Sequence, residues 1–113
     1  MTEVQAENAL RFSHNYNNML NCPFFMTVRG ADQARFALGS RHVVYHREEY
    51  KGIAEVVHSK RIKGKQLDTV ICRMAFGKSV VSVKHILKRI YDIHDVNEMW
   101  VSVVIFKYLD KEK

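Results

Sequence analysis

Thr27 and Arg29 stand two residues apart in the run Phe24-Phe25-Met26-Thr27-Val28-Arg29, with Pro23 in front and Gly30 behind. An aromatic and β-branched run punctuated in this way reads as a strand. Side chains alternate across a strand, so Phe25, Thr27 and Arg29 share one face while Phe24, Met26 and Val28 share the other. A wholly buried strand does not normally carry a threonine and an arginine on one face. That face is the first candidate for a binding site. The competing reading is a half-exposed strand whose polar side meets water. A buried Arg29 tied to Asp32 or Glu55 would make it structural instead.

Basic clusters are the second chemical feature. Lys60, Arg61, Lys63 and Lys65 have no acid among them, and Lys78, Lys84, Lys88 and Arg89 repeat the pattern further on. Such groups neutralise phosphates without reading sequence. Tyr45, Tyr50 and Phe36 are nearby candidates for stacking on unpaired bases. Phe36 is better assigned to the core, whereas Tyr50, in a polar stretch, remains a stacking candidate.

Other chemistries find less support. His42 and His46 lie four apart on one strand face, and His58 could approach across a hairpin. Four strand residues separate two imidazoles by roughly 13 Å, too far for one zinc ion. Cys22 and Cys72 form no CxxC pair and read as two buried free thiols in a reducing compartment. There is no HExxH, GxSxG, P-loop or dinucleotide fingerprint. The sequence therefore implies no metal, no cofactor and no assigned catalytic residue.

Eighteen Lys and Arg against twelve Asp and Glu give the 113-residue chain a net charge of +6. That balance favours a polyanionic partner, with nucleic acid first and an anionic membrane surface second. No apolar run approaches the ~20 residues needed to span a bilayer. Met1 to Leu10 carries Glu3 and Glu7 and does not read as a signal peptide. A cytoplasmic protein that spans no membrane is expected, with residues 1–9 as a flexible tail and 10–113 as one domain.

The elements that must position these residues follow in order. Leu10 to Phe12 opens a sheet. Ser13 reads as the cap of a short helix, Asn15 to Asn21, with Tyr16, Met19 and Leu20 on one face. After the strand ending at Arg29, a nine-residue connection leads to a second strand, Arg41 to His46. Arg47 to Gly52 reads as a polar turn and Ile53 to His58 as the returning strand of a hairpin. Lys60 to Lys65 is a basic loop or strand extension. Asp68 to Phe76 admits a helix or a strand; Val70, Ile71, Met74 and Ala75 at helical spacing, with Gly77 to close it, favour the helix. Val83, Ile86, Leu87 and Ile90 mark an amphipathic helix capped by Ser82 and ending near Asp92. Trp100 to Tyr108 is apolar on both faces, as a central strand would be.

This order of parts resembles the ASCH domain, a branch of the PUA-like superfamily of small β-barrels associated with RNA. Leu10-Arg11-Phe12 through Leu20 is similar to that family's first strand and helix. Thr27-Val28-Arg29 falls where its signature strand ends in Thr, an apolar residue and Arg. Phe36-Ala37-Leu38-Gly39-Ser40 resembles its aromatic-x-x-Gly-Asp turn, and Val83 to Tyr91 with Trp100 to Leu109 its final helix and strand. The resemblance implies an α+β fold: a PUA-like barrel of about five or six strands with two or three peripheral helices.

Departures bear on activity. Family members that hydrolyse N4-acetylcytidine carry Gly-x-Lys-x-x-x-x-Arg, but here Cys22 holds the Gly place and Phe24 the Lys place. The family's glutamate would fall near Phe76, and no acid lies between Asp68 and Asp92. Cleaving an amide requires a nucleophile or activated water with a base, and phenylalanine supplies neither. The expectation is a non-catalytic nucleic-acid-binding module that prefers RNA to DNA. Thr27 and Arg29 would form the floor of its groove. Tyr50, the 60–65 cations and Lys84, Lys88 and Arg89 would stand around it. An ASCH-type amidohydrolase or ribonuclease using Lys51 or Lys65, and a protein-interaction adaptor, are the alternatives.

Overall fold

The computed structural model of the protein describes residues 9–32 and 34–109. Five strands, β1 (Ala9–Phe12), β2 (Phe24–Gly30), β3 (Arg41–His46), β4 (Glu49–Lys63) and β5 (Trp100–Tyr108), form one sheet ordered β1-β3-β4-β5-β2. β1 runs parallel to β3; the other three pairings are antiparallel. The mixed sheet curls into a half-barrel with two α-helices, α1 (Thr69–Phe76) and α2 (Val80–Tyr91), at its side. This agrees with the small, barrel-like α+β architecture expected. The tail over 1–9 lies outside the described residues except for Ala9, which opens β1. No helix among them is long and apolar enough to cross a membrane.

Alternation along the strands divides the core in two. Residues directly opposite one another in an antiparallel pair share a face. Phe25 pairs with Phe106 and Phe106 with Val56, so these project together into the hollow of the curl. There they meet Leu10, Leu20, Phe36 and Val44. Met26, Val28, Val101 and Val103 project the other way, onto Cys72, Ala75, Val83 and Leu87 of the helices. β5 contributes to both clusters. Its continuous apolar run thus corresponds to a strand covered on both faces.

Several boundaries differ from expectation. Tyr16–Asn21 is a 3-10 turn rather than an α-helix, because Asn17 and Asn18 take left-handed φ of 57° each. Asparagine tolerates that region, and here its side chains replace helical hydrogen bonds. Asn15 Oδ1 accepts from Leu20 N at 2.8 Å, Asn18 Oδ1 accepts from Asn21 Nδ2 at 2.6 Å, and Asn17 Nδ2 donates to Arg73 O at 2.7 Å. Ser13 caps nothing: it bonds the His14 ring.

The hairpin turn contracts to Arg47-Glu48, with Arg47 at φ +59°, and β4 begins at Glu49. Gly52 lies inside that strand instead of ending a turn. Its φ of +138° is one that side chains rarely adopt, and the Tyr108 ring stands a tight 3.1 Å from where a Cβ would be, so glycine fits there. Tyr50 is accordingly a strand residue paired with Tyr45. Residues 60–63 continue β4, and only 64–66 leave it.

α1 has the expected bounds: Asp68 Oδ1 accepts from Ile71 N at 2.9 Å, and Gly77 closes it at φ +67°. α2 starts a turn earlier than its apolar stripe suggests. Ser79, not Ser82, is the cap, and its Oγ accepts from Ser82 N at 3.2 Å. Cys72 is buried as expected, but Cys22 is exposed, because the residue before Pro23 sits outside the core at the mouth of β2.

Candidate functional site

β1 and β2 are the two edges of the curled sheet, and no ladder joins them among the described residues. An open edge leaves strand carbonyls and amides without partners. Side chains take over that role here. The Arg29 guanidinium crosses the seam and donates from Nη2 to Arg11 O at 2.9 Å, while its Nε donates to Thr27 Oγ1 at 3.1 Å. Arg35 Nη2 donates to Ala9 O at 2.7 Å, and Gly30 N donates to the Tyr91 hydroxyl at 2.9 Å.

Beside this seam lies a hollow of about 500 Å³, walled by β1, β2 and the C-terminal ends of both helices. Thr27, Val28 and Arg29 line it from β2, Arg11 and Phe12 from β1, and Leu87, Ile90 and Tyr91 from α2. Arg47, Ser13, His14 and Tyr16 add to its polar lining. A second hollow of about 570 Å³ adjoins it, sharing Ser13, His14, Tyr16 and Ile90 and adding Lys78 and Arg89. The two make one groove. Arginine, lysine and histidine line it, and no acidic residue does among the described residues.

Arg29 is the chemical centre of this groove. It is half-buried and lies 4.6 Å from the Phe12 ring centroid. Neither Asp32 nor Glu55 neutralises it: Glu55 faces Arg41 at 3.9 Å, and Asp32 Oδ1 accepts from Arg35 N. Burial holds the Arg29 guanidinium below its ordinary pKa; Tyr91 opposes the shift and Arg35 adds to it. Buried charges are normally paired. A guanidinium partly removed from water, without an acid and open to an acid-free groove, is arranged to donate to the hydrogen-bond acceptors of a ligand.

The other expected site residues divide. Thr27 is buried and meets Arg29 on the groove wall, and Arg89 reaches the adjoining hollow. Lys88 is exposed on α2 but lines neither hollow. Lys84 donates to Asn97 Oδ1 at 2.7 Å.

Lys60, Arg61, Lys63 and Lys65 are not on the groove's rim. Lys63 and Lys65 approach Glu98 at 3.0 and 3.7 Å, and Arg61 lies over the Trp100 ring. Tyr50 is outside the groove but connected to it. Its ring meets Tyr45 edge-on at 6.2 Å, and the Arg11 guanidinium lies 4.7 Å from the Tyr45 centroid.

Arg11, Arg47, His14 and Tyr91 escaped sequence reasoning, since they come from a strand, a hairpin turn, a loop and a helix end with no shared spacing. Ile90 carried a usable signal. It continues the apolar stripe of α2 yet is 63% exposed, because the stripe outlasts the core and finishes in the groove. Phe24 is exposed on the opposite face of β2 and lines neither hollow, whereas Phe76 forms part of the groove wall. Among the described residues no group of three or more His, Cys, Asp or Glu could hold a metal ion. Comparisons with family models, with curated proteins and with solved structures give no match to this chain.

Proposed function

We propose that the protein is a non-catalytic nucleic-acid-binding module that holds RNA in the groove along the β1–β2 seam. The observation that carries this reading is Arg29, half-buried and without an acid on the wall of an acid-free groove. Arg11, Arg47, Lys78 and Arg89 extend the positive lining to the neighbouring hollow, suited to a chain of phosphates rather than one anion. Apolar walls from Phe12, Met19, Phe76 and Leu87 suit a base or sugar. The net charge of +6 acts in the same direction.

The preference for RNA and the ASCH, PUA-like assignment rest on the order of short motifs along the chain. The test is fluorescence anisotropy of a labelled oligouridylate and its deoxy counterpart at low salt, where phosphate contacts are strongest. Saturable binding that weakens when Arg11 and Arg47 are both replaced by Ala supports the reading. Failure to bind either oligonucleotide at low salt ends it and leaves the protein-adaptor alternative in first place.

A further inference from the structure

Arg61, Lys63 and Lys65 have no part in the groove, yet they converge on a surface of their own, while Lys60 alternates to the opposite face of β4. Trp100 opens β5 directly opposite Lys63 of β4. The Arg61 guanidinium lies 4.3 Å and Lys63 Nζ 5.3 Å from the Trp100 ring centroid. The indole is nevertheless 44% exposed, although tryptophan is among the side chains that gain most from burial. Glu98 answers Lys63 and Lys65, so one carboxylate faces two ammonium groups. Arg61 is exposed and has no ion pair among the described residues. An exposed indole under an unpaired guanidinium, with a surplus of positive charge around it, combines the two features by which unpaired nucleotides are held: a stacking platform and phosphate contacts.

The register relates this surface to the groove. Arg61 pairs with Ser102, and Ser102 pairs with Arg29. The three stand in one row on the same face, with the backbones of Arg61 and Arg29 two strand spacings apart, about 10 Å. The chain leaving β2 crosses this row: Asp32 N donates to Ser102 Oγ at 3.4 Å, and Ala31 N to Trp100 O at 3.2 Å. The two surfaces are therefore neighbours separated by the 30–32 segment.

We infer that Arg61, Trp100 and Lys63 form a second contact site for single-stranded RNA, where a base stacks on the indole–guanidinium pair while the groove holds another segment of the same strand. The inference rests on the RNA-binding reading of the groove but uses none of its residues. Trp100 is the only tryptophan in the chain, so its emission reports on this site alone.

The experiment titrates the intact protein with an oligouridylate of about 12 nucleotides, long enough for two contacts, following anisotropy of the labelled strand and tryptophan emission together. Quenching of emission that saturates along the anisotropy curve is expected. Trp100→Leu should lower affinity roughly 5- to 150-fold, the range of one lost base–aromatic stack. Arg61→Ala, a change at an exposed position, should reduce both affinity and quenching in protein whose circular dichroism is unchanged. Saturating anisotropy with unchanged emission, or full affinity in folded Arg61→Ala and Trp100→Leu, would overturn the second site and leave the groove standing. Absence of any binding overturns both. Equal quenching by inorganic polyphosphate, which has no bases, would refute the stacking contact.

Discussion

Replacing Arg29 by Ala separates its two roles, strap and ligand-binding group. In the free protein its guanidinium makes two charge-assisted hydrogen bonds, to Thr27 Oγ1 and Arg11 O, and a cation–π contact with Phe12. Each such hydrogen bond contributes about 1.5–3 kcal/mol and the aromatic contact about 0.5–1 kcal/mol. Against this stands the cost of holding an unneutralised guanidinium partly out of water, several kcal/mol in a buried setting and less at an open seam. Water can also replace the lost donor at Arg11 O. The net loss of stability should be about 1–2 kcal/mol, lowering the melting temperature by about 4–12 °C for a domain of this size. The protein should stay folded at 15 °C.

Under those conditions Arg29→Ala should weaken oligouridylate binding by about 1–3 kcal/mol, roughly 5- to 150-fold, if the guanidinium meets a base or sugar bidentately. Arg29→Lys should recover little, because an ammonium keeps the charge but lacks the planar fork. The salt dependence gives a control. Arg29→Ala should leave the log–log slope nearly unchanged, whereas replacing Arg11 and Arg47 together should flatten it by about 1.4, near 0.7 for each phosphate contact on a single strand. Anisotropy titrations at several salt concentrations, with thermal melts in parallel, measure both quantities. Undiminished affinity in folded Arg29→Ala protein would show that the residue only straps β1 to β2.

Three further outcomes are expected. Ser79→Ala should destabilise the protein by about 0.5–2 kcal/mol by removing the α2 cap, while Ser82→Ala should stay within about 0.5 kcal/mol; urea unfolding distinguishes them, and the reverse order would refute the cap assignment. Burial pushes the Tyr108 hydroxyl up to about 12, with the nearby Cys22 adding to the shift, and the hydroxyl donates to Leu20 O at 2.8 Å. Its folded pKa is above the unfolded value near 10, so the native state keeps a proton the unfolded chain loses. Stability should be complete below pH ~10 and fall by about 2–3 kcal/mol as pH rises towards ~12; ultraviolet absorbance showing a normal tyrosine ionisation at every tyrosine would refute this. N4-acetylcytidine should not be deacetylated, and Phe24→Lys should not confer turnover, because that side chain leaves β2 on the face opposite Thr27; acetate release by the variant would contradict it.

Local patterns determined much of this protein without reference to its tertiary structure. The period-2 alternation of 24–29, the two-sided apolar run of 100–108, and Gly77 at the end of α1 are read directly, because strand pleat and helix caps depend on residues a few positions apart. The pairing of Thr27 with Arg29 follows from the same alternation. Where local rules competed, sequence reasoning failed. Asparagine at 17 and 18 could be a weak helix former or a left-handed turn residue, and only the partners of its side chains decide. Gly52 could end a turn or make room for a ring, and only the approach of Tyr108, 56 positions away, makes it the latter. The greatest gap lay in the site. Curling the sheet brings β1 beside β2 and the ends of both helices, so that Arg11, Arg47, His14 and Tyr91 join Arg29. The same curl leaves Arg61 and Lys63 beyond the 30–32 segment, on Trp100. Adjacency across an open seam depends on sheet curvature and strand order, which no short stretch of sequence encodes. Tertiary structure therefore decided which of the eighteen cations belong together.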